Sequence, residues 1–303
     1  VDDPHDNPSL AIDEHGYIWV FVSGRGRKRM GFKYKSTLPY STDSFEQISE
    51  EEMTYPQPKY IAGKGFLNLF TKYTGVRQLY FETSRDGENW TSDKQLVGIK
   101  RPEDKNSGHY QISGQHSEKI VFFCNWHPNG NVDLRTNLYY YQTEDFGKTW
   151  TDIHGNVVSI PVKDIASSGL VKEYFSQKRN VYLKDVNFDA NGNPIALYVE
   201  GQGHQPGPKY GPRNWHVVHW DGSEWQDHII TKGSKRNHNY IRRVEKGTDP
   251  FLYFWADGDP NDFSKSQMYF GDSKGKVWQL PYEMKADQVK PKRLRSGVFR
   301  SWF

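Results

Sequence analysis

The chain has 303 residues with a formal net charge of +3, and 15% of them are aromatic, including ten Trp and nineteen Tyr, beside a single Cys. So mild a charge does not point to nucleic acid, and no apolar run approaches the roughly 18 residues of a membrane-spanning helix. One thiol excludes an internal disulfide and a thiolate metal cluster.

The length allows one large β domain or two ordinary ones. Because residue 1 is Val rather than Met, a processed or incompletely recorded chain is expected.

The predicted elements are short and β-like. In chain order they are "YIWVFV" at 17–22, "LNLFTKY" at 67–73, "QLYFETS" at 78–84, "KIVFFCNW" at 119–126, "NLYYYQT" at 137–143, "PIALYVE" at 194–200, "HVVHW" at 216–220 and "FLYFWAD" at 251–257. All are rich in β-branched or aromatic residues and bounded by Gly, Pro, Asn or Asp, the signature of strands and turns. The best helical candidate, "SFEQISEEEM" at 44–53, is short and reads as a connection. Cys124 reads as a buried strand thiol rather than a nucleophile.

A turn recurs at 12–19 ("IDEHGYIW"), 84–90 ("SRDGENW"), 143–150 ("TEDFGKTW"), 188–195 ("FDANGNPI"), 220–225 ("WDGSEW") and 271–278 ("GDSKGKVW"). Asp accepts hydrogen bonds from the turn's N–H groups, Gly supplies a positive φ, and the following apolar residue packs between sheets. Repeated hairpins of this kind predict an all-β propeller, in which each small sheet buries its faces against its neighbours. The turns are 32 to 73 residues apart, so the repeat is imperfect. Blades of roughly 40 to 50 residues would give six or seven of them. A two-sheet sandwich with a second β domain is the competing architecture.

Several loops carry groups suited to an acidic ligand. His5, in "DPHDNP", precedes the first strand, and Arg25 and Arg27 follow it in "SGRGRKR". A guanidinium can hold a carboxylate through two parallel bonds. His109 and Tyr110 lie in "GHYQISG", His127 follows strand 119–126, Arg135 lies in "NVDLRTN", and His238 with Arg242 lies in "RNHNYIRR". From the residues alone, a hydrogen-bonded turn explains His5 better than catalysis does, nothing singles out Tyr110 among nineteen tyrosines, and a solvated loop or salt bridge explains the arginine clusters equally well. "HPNGNVD" and "DGDPND" offer oxygen ligands without the spacing of a calcium loop, so no metal is assigned.

"TEDFGKTW" matches the Asp-box of sialidase-like propellers, although no sialidase site accompanies it. More specific are "DPHDNPSLAIDEHGYIWVFVSGRG", "GHYQISG", "NWHPNGNVDLRTNLYYYQTEDFGKTW", "VNFDANGNPIALYV" and "FWADGDP". Over nearly the whole chain these resemble seven-bladed propellers that cleave L-rhamnose-α-1,4-D-glucuronate linkages of arabinogalactan. More distantly, they are similar to propeller ulvan lyases.

The resemblance implies one propeller domain over 1–303, with N-terminal strands and an internal segment near 229–244 absent from this sequence. It also implies a secreted or periplasmic, monomeric enzyme acting by β-elimination on an acidic, rhamnose-capped glycan. No cofactor is assigned, and a structural calcium in the central channel fits such a fold.

Elimination needs a base, an acid and a cation for the carboxylate. The resemblance implies that Tyr110 aligns with the catalytic tyrosine of ulvan lyases; His5 and His127 are the other catalytic candidates, and Arg25, Arg27, His109, Arg135, His238 and Arg242 are the binding candidates. Arg25 stands where ulvan lyases carry a second His. That departure favours one alternative, a non-catalytic glycan-binding propeller, and the resemblance itself leaves another, an α-L-rhamnosidase acting on the same linkage through a single His.

Overall fold

Strands that are apolar on both faces must be covered on both faces, and stacking small sheets side by side achieves this. The computed structural model describes residues 7–26, 28–204 and 213–233, and the backbone of four further strands between 243 and 279. Within these residues the chain forms five antiparallel sheets.

The first sheet is β1 (Ser9–Ile12), β2 (Ile18–Val22), β3 (Gly31–Ser36) and β4 (Phe45–Glu51). The second is β5 (Thr54–Ile61), β6 (Gly65–Thr74), β7 (Val76–Ser84) and β8 (Lys94–Val97). The third runs through β10 (Gln111–His116), β11 (Lys119–Pro128), β12 (Thr136–Thr143) and β13 (Leu170–Lys172), with β9 (Ser107–Gly108) pairing on β11. The fourth is β14 (Asn180–Phe188), β15 (Pro194–Gly201), β16 (Arg213–Trp220) and β17 (Trp225–Gly233). The fifth is β18 (Arg243–Glu245), β19 (Leu252–Asp259), β20 (Asp262–Asp272) and β21 (Val277–Gln279).

Strands within each sheet follow chain order, and the innermost strands β1, β5, β10, β14 and β18 meet one another in sequence. This is a β-propeller, and the sandwich alternative falls away. Five sheets occur among the described residues, against an expectation of six or seven. The sheets are also unequal in chain length, residues 144–169 separating the last two strands of the third.

All eight predicted strands are present. The segment read as a connection, 44–53, instead contains β4. As an outer strand it hydrogen-bonds to β3 alone and stays largely exposed, so its polar composition carries no apolar alternation.

Alternation along β11 sends Ile120, Phe122, Cys124 and Trp126 into the core shared with Leu67, Leu69 and Phe81 of the second sheet. Val121 and Phe123 point the other way, into the core shared with Val181, Ala196 and Tyr198 of the fourth. Cys124 is fully buried, and burial raises its thiol pKa, as expected of a packed strand residue.

The Asp-Gly turns that fall within the described residues, at 12–19, 84–90, 143–150, 188–195 and 220–225, occupy one end of the sheets. At the third sheet, Asp145 Oδ1 accepts the Thr149 N–H at 2.9 Å and the Thr143 hydroxyl at 2.9 Å, while Gly147 takes φ +78°. Trp150 then lies edge-on to Phe81 (5.3 Å) and Phe122 (5.4 Å), across the boundary between two sheets. Asp86 repeats the device, accepting the N–H groups of Glu88 and Asn89, and the bonds from Asn89 hold its carboxyl down to about 2.

Candidate active site

The other end of the sheets carries the chemistry. Since neighbouring strands run antiparallel, the start of each first and third strand shares this end with the finish of each second strand. Tyr55 at the start of β5, Tyr110 just before β10, Arg135 before β12 and Tyr182 near the start of β14 therefore converge. They border a cleft of about 780 Å³ that also includes Gln57 and Lys184.

Tyr110 is its centre. Its ring packs edge-on against Tyr55 at 5.9 Å and His127 at 5.0 Å. The guanidinium carbons of Arg77 and Arg135 lie 5.4 and 5.1 Å from the ring centroid. Arg135 also lies 4.7 Å from the Tyr182 ring, which Arg213 approaches at 5.3 Å. Cation–π contacts thus hold the planar cations in place while keeping their charge available to an anion. Burial lowers the Arg135 pKa, but the nearby hydroxyls of Tyr182 and Tyr110 oppose the shift, and a guanidinium remains charged.

Tyr55 adopts φ +52° and donates its N–H to the Ser23 hydroxyl at 3.0 Å. Burial, helped by Tyr110, pushes its pKa up to about 12 against the opposing charges of Arg25 and Arg77. Tyr55 consequently keeps its proton. Arg25 stands close enough to act on that hydroxyl, and its N–H bonds to Arg29 O at 2.7 Å to close the loop.

Asn125 organises the layer beneath. Its Oδ1 accepts the Tyr110 N–H at 3.0 Å and lies 3.0 Å from His127 Nε2, while its Nδ2 donates to Val181 O at 2.9 Å. Its backbone oxygen lies 3.0 Å from His109 Nδ1. Burial lowers the His109 pKa to about 4 and the His127 pKa well below its ordinary value, with His109 and two arginines adding to the effect on His127. Both imidazoles are neutral.

This corrects two expectations. His127 and His109 have no exposed surface, because the strand ends turn them inward beneath Tyr110. His127 packs against the Tyr110 ring, and His109 bonds to the backbone of Asn125, which holds the Tyr110 N–H. Tyr110 and Arg135 are brought together in the cleft and Arg25 acts on the neighbouring Tyr55, whereas His5, Arg27, His238 and Arg242 lie outside the described residues. Among the described residues no group of three His, Cys, Asp or Glu side chains is placed to hold a metal ion.

Tyr55, Arg77, Tyr182 and Arg213 were not singled out from the sequence. A usable signal existed, since each sits at the same end of its strand as Tyr110.

Consecutive four-stranded sheets, Asp-box turns at one end and an arginine–tyrosine cleft at the other define an Asp-box propeller with a polar binding end. The chain belongs to the BNR repeat-containing family, whose model matches residues 1–233. It is 21% identical over 302 residues to an ulvan lyase, PL25, of Pseudoalteromonas sp. (strain PLSV), an alignment covering 85% of this chain and 61% of that protein. The chain therefore spans less than two thirds of that relative's length.

Among solved structures, a PL25 ulvan lyase bound to -[GlcA(1-4)Rha3S]- superposes with a TM-score of 0.71 at 16% identity, covering 91% of this chain and 69% of the other. The polysaccharide lyase Uly1 gives a TM-score of 0.68 at 11% identity, covering 95% and 71%. These likenesses show that the fold is shared.

Proposed function

We propose that the cleft cleaves a rhamnose–glucuronate linkage by β-elimination. The observation that carries this reading is a phenol set between two guanidinium groups in a cleft whose described lining contains no Asp or Glu. Hydrolysis by the common two-carboxylate route needs a pair of acids at the bond, and the described lining offers none. Elimination needs a cation for the uronate carboxylate and proton-transfer groups beside C5 and the leaving oxygen.

In this mechanism Arg135, on the cleft wall, faces the uronate carboxylate, and together with Arg77 on the Tyr110 ring it stabilises negative charge as C5 loses its proton to a base, for which His5 is the candidate. The C5–H electron pair forms the C4–C5 double bond, the C4–O bond breaks, and Tyr110 protonates the departing oxygen. The substrate proposed is a terminal L-rhamnose-α-1,4-D-glucuronate unit of an arabinogalactan-type glycan, met outside the cytoplasm by a monomeric enzyme.

Incubation with a rhamnose-capped glucuronate oligosaccharide tests this. Free rhamnose together with the ultraviolet absorbance of an unsaturated uronate is the expected result, and rhamnose without that absorbance would mean hydrolysis and overturn the mechanism. Arg135→Lys keeps the charge but loses the planar stacking fork. Steady-state kinetics should show kcat reduced by about 10²-fold or more, the scale of removing one preorganised charge-stabilising group. An unchanged kcat would remove Arg135 from the charge-stabilising role.

A further inference from the structure

The hairpin joining β6 to β7 has two sides. On one, Arg77 lies against Tyr73 and Tyr110. On the other, Thr74 and Val76 border a separate groove of about 570 Å³ at the same end of the second sheet. Lys100, Arg101, Lys105 and Lys163 surround this groove.

Arg101 is committed to Asp104 at 2.7 Å and Glu103 at 3.2 Å. The exposed side chains of Lys100, Lys105 and Lys163 make no hydrogen bond or ion pair with any described residue.

These lysines are held in place by their backbones. Gly98 N–H bonds to Val162 O at 2.8 Å and Lys100 N–H to Lys163 O at 3.2 Å, which sets two of the loops side by side. Lys105 N–H bonds to Asn129 Oδ1 at 3.2 Å. The floor is a chain of amides, Gln95 donating to Gln78 Oε1 at 3.1 Å and Gln78 donating to Ser107 O at 2.6 Å. Three unneutralised ammonium groups around one polar concavity repel one another and attract an anion.

We propose that this groove is a second anion subsite for an acidic polysaccharide, accepting a sulfate or uronate carboxylate on a sugar beyond the hairpin. The inference rests on reading the cleft as a polysaccharide site. A chain crossing the hairpin has its scissile bond at Tyr110 and an anionic substituent among the three lysines. The groove therefore selects for length and charge, while the cleft selects for the bond.

The test compares wild type with a Lys100→Gln, Lys105→Gln, Lys163→Gln variant, using a sulfated rhamnose–glucuronate polymer, its desulfated form and a short rhamnose-capped glucuronate oligosaccharide. Exposed pairs of this kind together amount to about a tenfold effect. The variant should show a KM for the polymer raised about tenfold, weaker retention in affinity gels containing polymer, and unchanged kinetics on the short substrate. Loss of discrimination confined to the sulfated form assigns the groove to sulfate, and equal loss on both polymers assigns it to carboxylate.

Unchanged polymer KM and retention would overturn the subsite, as would an equal loss on the short substrate. If wild type cleaves nothing but the variant still loses salt-sensitive retention, the cleft reading fails and the groove stands.

Discussion

Tyr110→Phe is expected to lower turnover of a rhamnose-capped glucuronate by about 10²- to 10⁴-fold, the range of a lost proton-transfer group. The contacts that hold this residue are made by its ring and its backbone. Tyr55 and His127 pack on the ring, Arg77 and Arg135 flank it, and its N–H bonds to Asn125. The hydroxyl makes no hydrogen bond to any described residue. Phenylalanine therefore preserves the packing and removes only the transferable proton, so the melting temperature should stay close to that of wild type. Turnover assays beside a thermal melt check this, and a variant with near-normal kcat would move the acid to Tyr55 or to a group outside the cleft.

Trp150→Ala should have the largest effect on stability, about 3–5 kcal/mol, as for other buried aromatic deletions. Trp150 is 1% exposed and fills the wedge between Phe81 on one sheet and Phe122 on the next. Its indole nitrogen has no hydrogen-bond partner among the described residues, so the loss is one of packing. Against a total stability of about 5–15 kcal/mol, this would threaten the fold. Denaturant titration measures it, with Trp150→Phe expected to recover part of the loss. A cost below about 1 kcal/mol would show that the wedge relaxes without leaving a cavity.

The strands were legible because their burial is two-sided and repetitive. "KIVFFCNW" alternates between two different cores, and no helix would bury both of its faces so evenly. β4 was not legible, since an exposed edge strand needs neither face to be apolar. Tyr110 was singled out through a motif and Arg135 through its loop, and both border the cleft. His127 and His109 were placed in the right neighbourhood but one layer too shallow, because sequence does not say which way a side chain turns at a strand end. Arg77, Tyr182 and Arg213 went unseen since none of them lies on the sheet that carries Tyr110, and only the common polarity of the strands unites them with it.

Asn125 ties the backbone of Tyr110, on the third sheet, to Val181 at the start of the fourth, beside Tyr182. The aperture between those two tyrosines, with Arg135 suspended in it, is consequently inherited from the angular pitch of adjacent blades. Loops at this end decide what is grasped, and the pitch decides how wide a sugar passes. A version of this scaffold admitting a bulkier residue would have to change how its sheets fan around the axis.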